Sequence, residues 1–256
     1  QKFDFEKFRD RLPWIWQTPQ QSEPPKVQDS AWPAGSVDRF VLRKLEAEKL
    51  RPAEPADDRV WIRRVHFAIT GLPPKPEDVQ AFLNDKSRNR KRTLVRALLD
   101  SPHYGERWAR HWMDLVRYAE SRGHEGDAIL PNAYRYRDYL VRAFNADLPY
   151  NALVTEHLAG DLLENPRLHH ETKANESILA TGWPFFGEEN GTPVDLRQDE
   201  CNRLDNKVDV MNKTFLGLTV ACARCHDHKF DAIRQSDYYA MAGFILSSSY
   251  RQARFE

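Results

Sequence analysis

Near one end of the chain, Cys222-Ala223-Arg224-Cys225-His226 sets two thiols and an imidazole at C-x-x-C-H spacing. Two thiols three residues apart on a tight helical turn reach the vinyl groups on one edge of a porphyrin and form thioethers. The next residue then directs its imidazole at the iron from the proximal face. With 3 cysteines and 9 histidines available, chance yields such a match in about one sequence in a thousand. The spacing predicts one covalent haem c, attached through Cys222 and Cys225, with His226 as the proximal iron ligand.

The same atoms have other uses. A thioredoxin-like dithiol wants its C-x-x-C after a strand in a βαβ setting, whereas the residues before Cys222 read as helix. A tetrahedral zinc site from Cys222, Cys225, His228 and one remote ligand is chemically reasonable, because thiolate and imidazole suit zinc. Two buried cysteines without a cofactor are the plainest outcome. Haem attachment is preferred because it uses all three motif residues at once. It also sets the compartment: thioethers form where export and haem delivery meet, so a mature exported, periplasmic protein is expected. Cys201, the odd cysteine, reads first as a buried thiol and second as a partner for an intermolecular disulfide.

Small electron carriers place the motif early and a methionine ligand far downstream. Here 30 residues follow His226 and Met241 is the sole methionine among them. The layout is closer to helical-bundle cytochromes, some of which leave the sixth iron position open. Trp108, His111, Trp112, Leu115 and Tyr118 fall on one stripe, so His111 is expected on a largely apolar face, either as a core histidine or as the distal ligand. His103, His124 and Met211 are weaker candidates, and His228 lies too near the proximal ligand to reach the other face. Arg107, Arg110, Asp114 and Arg117 step by 3, 4 and 3, the pattern of a surface ion-pair ladder. Arg107 and Arg110 are alternatively suited to haem propionates. Glu188, Glu189, Asp195, Asp199 and Glu200 match no calcium-loop template and read as a solvated loop.

The elements that must position these residues are helical. Gln1 to Leu12 can make a short helix, and Pro13 to Pro33, with Trp14 and Trp16, is extended, giving an N-terminal arm over residues 1–34. Residues 35–256 then form a single helical domain. The first helix, capped by Ser36, carries Val37, Phe40, Val41 and Leu45 on one side, and Asp57 to Thr70 carries Trp61, Val65, Ala68 and Ile69. Helices follow from Pro76, Arg88 to Leu99, His103 to Glu120, Tyr134 to Asn145, Ala152 to Leu158 and Glu171 to Thr181. A long helix from Leu196 to Val220 carries the stripe Val208, Met211, Phe215 and Leu218 into the motif, and Ser236 to Ser247 closes the chain. The fold class is mainly α, an irregular multi-helix array with long loops. The 38 basic and 38 acidic side chains cancel, which argues against nucleic acid and anionic membranes as partners. The charge-free stretches are too short for a span of roughly 20 residues.

Leu216-Gly217-Leu218-Thr219-Val220-Ala221, the motif itself, and Asp227-His228-Lys229-Phe230-Asp231 together resemble the planctomycete cytochrome C domain family. Trp32-Pro33, Asp38-Arg39-Phe40-Val41, Thr70-Gly71-Leu72-Pro73-Pro74, Ser101 to Trp112, Tyr136-Arg137-Asp138, Asn145 to Tyr150 and Leu158 to Asp161 extend the resemblance in order. It spans nearly the whole chain from Asp4. One departure is Ala232, where the family tends to carry proline. The resemblance implies an exported protein, often accompanied by a separate haem module upstream and another domain downstream, and it assigns no activity. Electron transfer to or from a downstream partner domain or redox protein is the expected function. The alternatives are a haem-dependent oxidoreductase with an open distal site acting on an organic substrate, such as one derived from carbohydrate, and a haem-stabilised structural module.

Overall fold

The computed structural model describes residues 16–123, 126–188 and 191–249. The expected helix at Gln1 to Leu12, Trp14, His124 and Glu189 lie outside these residues. The described residues contain ten α-helices and no strand, with two isolated bridges, Ser121 to Ile129 and Leu168 to Asn175. The chain divides into two compact units, Gln1–Trp61 and Ile62–Glu256. No helix among the described residues is long and apolar enough to cross a membrane.

In the first unit, residues 18–27 form no regular element, as their prolines dictate. The tract is tied to α1 (Ser36–Ala47) because Glu46 accepts from the backbone N–H groups of Gln28 and Asp29 at 2.9 and 3.1 Å. Asp38 accepts from Ala34 and Gly35, so the chain enters α1 one residue before the expected cap. The buried residue of α1 is Leu42; Val37, Phe40 and Val41 are exposed, which corrects the expected apolar face. Helix α2 (Asp58–Ile69) is capped by Asp57, whose carboxylate accepts from Arg59 and Val60. Its most buried residues are Ile62 and His66, not the stripe read from the sequence.

The second unit continues with α3 (Pro76–Asn84), α4 (Arg90–Leu99), α5 (Pro102–Leu115), α6 (Ala133–Asn145), α7 (Tyr150–Ala159) and the single turn α8 (Ser177–Ala180). A 3-10 turn η1 (Trp183–Phe185), α9 (Leu196–Leu216), a second 3-10 turn η2 (Val220–Arg224) and α10 (Gln235–Leu246) complete it. Helices α5 and α6 make the principal pair. They cross closely at Gly105, where an added Cβ would sit 2.4 Å from the Val141 carbonyl oxygen. Asn145 fastens the crossing, accepting from Gly105 N–H at 2.8 Å and donating to the Pro102 carbonyl.

Helix α5 ends five residues earlier than periodicity predicts, because Arg117 adopts φ +60° and turns the chain out of the helix. The expected Glu171 to Thr181 helix shrinks to α8: Asn175 pairs with Leu168 in a bridge, leaving residues 169–174 in a turn. Helix α9 stops at Gly217, at φ +67°, a left-handed position that favours glycine. The cysteine motif therefore sits on its own short turn beyond the long helix.

One imidazole organises the core. His157 is 2% exposed. Its Nδ1–H donates to the Leu153 carbonyl at 2.7 Å, and Nε2 accepts from Trp112 Nε1–H at 3.1 Å and the Tyr136 hydroxyl at 2.8 Å. The His157 carbonyl accepts from Trp183 Nε1–H. Helices α5, α6, α7 and turn η1 meet on this residue. Beside it, Glu156 accepts from Tyr139 at 2.6 Å, Ser177 at 2.9 Å and Arg167, while Glu176 takes Arg142 and Arg167. Burial alone acts to raise Glu156, but the hydrogen bonds from Arg167 and Tyr139 outweigh it and hold the carboxyl below its usual range.

Burial pushes His157 down to about 4 from 6.5. Between these values the unfolded chain binds a proton that the folded one refuses, so stability falls as pH drops through that window. Denaturant unfolding at pH 7 and pH 4.5 should show this loss, up to roughly 3 kcal/mol from this residue. A His157→Gln chain, though less stable at pH 7, should lose correspondingly less on acidification.

Candidate functional site

Turn η2 follows from local chemistry. Gly217 ends α9, and the Cys222 N–H donates to the Thr219 carbonyl at 3.1 Å, closing the short turn that carries Cys222 and runs into Cys225. Ala223 and Val220 point inward, 0% and 4% exposed. Both motif cysteines are free and exposed, and His226 is exposed beside them. Its Nδ1–H donates to the Asp227 carbonyl at 2.7 Å, which selects the tautomer whose Nε2 carries the open lone pair.

The residue between the thiols anchors the turn. Arg224 pairs with Asp205 of α9 at 3.2 Å, and the guanidinium is held more firmly protonated by that carboxylate. Asp205 also accepts from the Tyr238 hydroxyl of α10 at 2.7 Å, and burial, aided by that bond, pushes the phenol up. The Arg224 carbonyl accepts from Gln235 Nε2 at 3.1 Å and from the Tyr239 hydroxyl at 3.3 Å. Asp227 accepts from the Gln235 N–H at 2.8 Å. The motif is thus gripped from α9 on one side and α10 on the other. A groove of about 490 Å³, lined by Asn202, Asp205, Asn206, Asp209, Ala221 and Cys222, runs beside the first thiol.

The donor set fits a covalently attached tetrapyrrole: two accessible thiols on one turn and an accessible imidazole of the required tautomer. It fits the zinc alternative poorly. Both ring nitrogens of His228 are taken, Nδ1 by the N–H groups of Phe230 and Asp231 and Nε2 by the Thr219 hydroxyl. Among the described residues no three His, Cys, Asp or Glu side chains converge as a metal-ion group.

The other candidates spread out. His111 is exposed on α5, its ring 5.5 Å from Trp108, which is 40% exposed. The buried face of α5 is Gly105, Ala109, Trp112 and Met113, rotated from the expected stripe, so His111 is not a core histidine. Arg110 pairs with Asp114 on the surface, and Arg107 packs against the turn at Gly71. Beyond the end of α5, Arg117 donates to Asn206 of α9, at the groove, and passes against Gly187. His103 is exposed and pairs with Glu106 at 2.8 Å; Met211 is core, 6% exposed. Cys201 is exposed, which corrects the buried-thiol expectation: most of the first two turns of α9 face solvent. Asp195 caps α9 and Asp199 pairs with Arg203, so these two acids have structural partners.

Asp205, Tyr238 and Gln235 escaped the sequence reading because nothing in their spacing links them to the motif. Only Arg224, an arginine between the thiols, hinted at a carboxylate partner. A family model described as a protein of unknown function, PSCyt2 (DUF1549), matches residues 36–250. No curated protein and no solved structure matches.

Asp205→Ala should cost about 1–3 kcal/mol in denaturant unfolding, because it leaves the Tyr238 hydroxyl and Arg224 without their acceptor. Tyr238→Phe should cost clearly less in that background than in the parent chain, the non-additivity expected of direct partners.

Proposed function

The chain belongs to the PSCyt2 family, and on that premise we propose that it is an exported, periplasmic protein that carries one covalent haem c and passes electrons to or from a partner domain or redox enzyme. The observation that carries this reading is the exposed turn presenting Cys222, Cys225 and His226 together. When bound, haem supplies a one-electron iron couple. Cys222 and Cys225 would hold it by thioethers, and His226 would offer Nε2 while the Asp227 carbonyl keeps its ring oriented. Asp205, Gln235 and Tyr239 immobilise Arg224, and so the spacing of the two sulfurs. The exposure of all three motif residues supports electron transfer over chemistry in a closed cavity, because a group attached there would be open to a partner.

The groove beside Cys222 favours a second reading, an oxidoreductase with an open distal site. Its volume falls in the range of small-molecule sites. Two amides and two carboxylates on its wall are suited to hydrogen-bonding a polar organic substrate, such as one derived from carbohydrate.

Material from a host competent in cytochrome maturation should carry one haem that survives denaturing mass spectrometry, and the Cys222→Ser/Cys225→Ser chain should carry none. An unmodified parent polypeptide refutes the haem reading. Under electron transfer with His111 as sixth ligand, the ferric protein should be low-spin and His111→Ala should convert it to a high-spin form. A parent protein that is already high-spin and takes up cyanide readily moves the assignment to the oxidoreductase.

A further inference from the structure

The run C-x-x-C-H continues to a second histidine, and His228 differs from His226 in burial and in hydrogen bonding. Its side chain is 7% exposed, although it lies only two residues from an exposed imidazole. Nδ1 accepts from the Phe230 N–H at 3.2 Å and the Asp231 N–H at 2.9 Å, which requires the ring proton to sit on Nε2. That N–H donates to the Thr219 hydroxyl at 3.0 Å. The His228 backbone N–H donates to the Ile233 carbonyl at 2.8 Å. One side chain therefore ties the residue just before η2 to the strand of chain just after His226, closing a loop around both thiols and the exposed imidazole.

We propose that His228 is a positioning residue, pinning the attachment turn to Thr219 so that the thiols and the Nε2 of His226 are held in mutual register before haem arrives; this rests on the covalent-haem reading. Three donors must meet one rigid planar ligand, and a segment free to fluctuate loses that coincidence to chain entropy. The Asp227 carbonyl that orients His226 belongs to the peptide unit ending at the His228 nitrogen. Anchoring His228 through its ring and its N–H thus fixes the direction of that carbonyl, and with it the plane of the His226 ring.

Three substitutions separate the contacts. Thr219→Val removes the hydroxyl alone. His228→Asn keeps an acceptor near the Nδ1 position but loses the N–H that bridges to Thr219. His228→Gln keeps an N–H near the Nε2 position. All are made in a maturation-competent host and read three ways: covalent haem fraction by denaturing mass spectrometry, the ferric electron paramagnetic resonance signal, whose anisotropy reports the proximal imidazole plane, and thermal melting of the helical signal. Thr219→Val and His228→Asn should each lower the haem-bearing fraction several-fold and alter the resonance signal of what remains, with melting unchanged. Their combination should be no worse than either alone, and His228→Gln should lie close to the parent. Parent-like loading and resonance in both Thr219→Val and His228→Asn overturn the proposal, as do additive losses or melting that falls in step with loading. A parent chain without covalent haem overturns the haem reading itself, a result distinguishable from a loaded parent with indifferent variants.

Discussion

The hydrogen bonds of His157 are the constraint on which the helical unit turns. A neutral imidazole has one donor and one acceptor, and here both are used inside the core: the donor closes on its own helix at Leu153, and the acceptor collects Trp112 from α5 and Tyr136 from α6. Two aromatic side chains that would each bury an unsatisfied donor are satisfied by one atom. The arrangement works only for the neutral ring, which is why burial can hold the pKa of His157 down without leaving any partner unpaired. The apolar contacts of Ala109, Val116, Leu140 and Met211 fill in around a geometry that these polar bonds make specific.

The neighbouring carboxylates extend the same logic to the chain between α7 and α8. Glu156 and Glu176 are 5% and 2% exposed, and each is matched by arginine, with Arg167 shared between them. Buried acids are tolerable only when their lone pairs are occupied. Here they fasten a segment with little regular structure against α6 and α7. A rigid helical base results, and the cysteine turn is mounted on it through α9.

The turn itself uses a different device. Gly217 ends α9 abruptly, and the following residues are kept in place by single polar contacts, Arg224 to Asp205, Gln235 to Asp227 and His228 to Thr219. Such contacts leave the thiols and the His226 ring facing solvent while their backbone is fixed. The proposed attachment of a large planar ligand would need accessible reactive atoms on an ordered support, and the exposed thiols and imidazole on this braced turn would supply both.

Helical content was legible because apolar periodicity in α3, α4 and α6 survives without tertiary help. The cysteine motif itself was legible because C-x-x-C-H is a local pattern that sequence neighbours alone define. Helix ends were less so: the backbone reversal at Arg117 and the bridge at Asn175 are decided by contacts outside the segment. The stripe assigned to α5 was rotated because Trp108 and Leu115 are as apolar as Trp112, and only packing on α6 and α9 distinguishes which face is covered. Thiol and imidazole identities, and their spacing, are thus properties of the chain. Which arginine meets which carboxylate, which histidine is buried and which exposed, and how the turn is braced are decided by residues distant in sequence. Asp205 and Arg224 show why: a charge finds its partner by three-dimensional proximity, and no one-dimensional spacing encodes it.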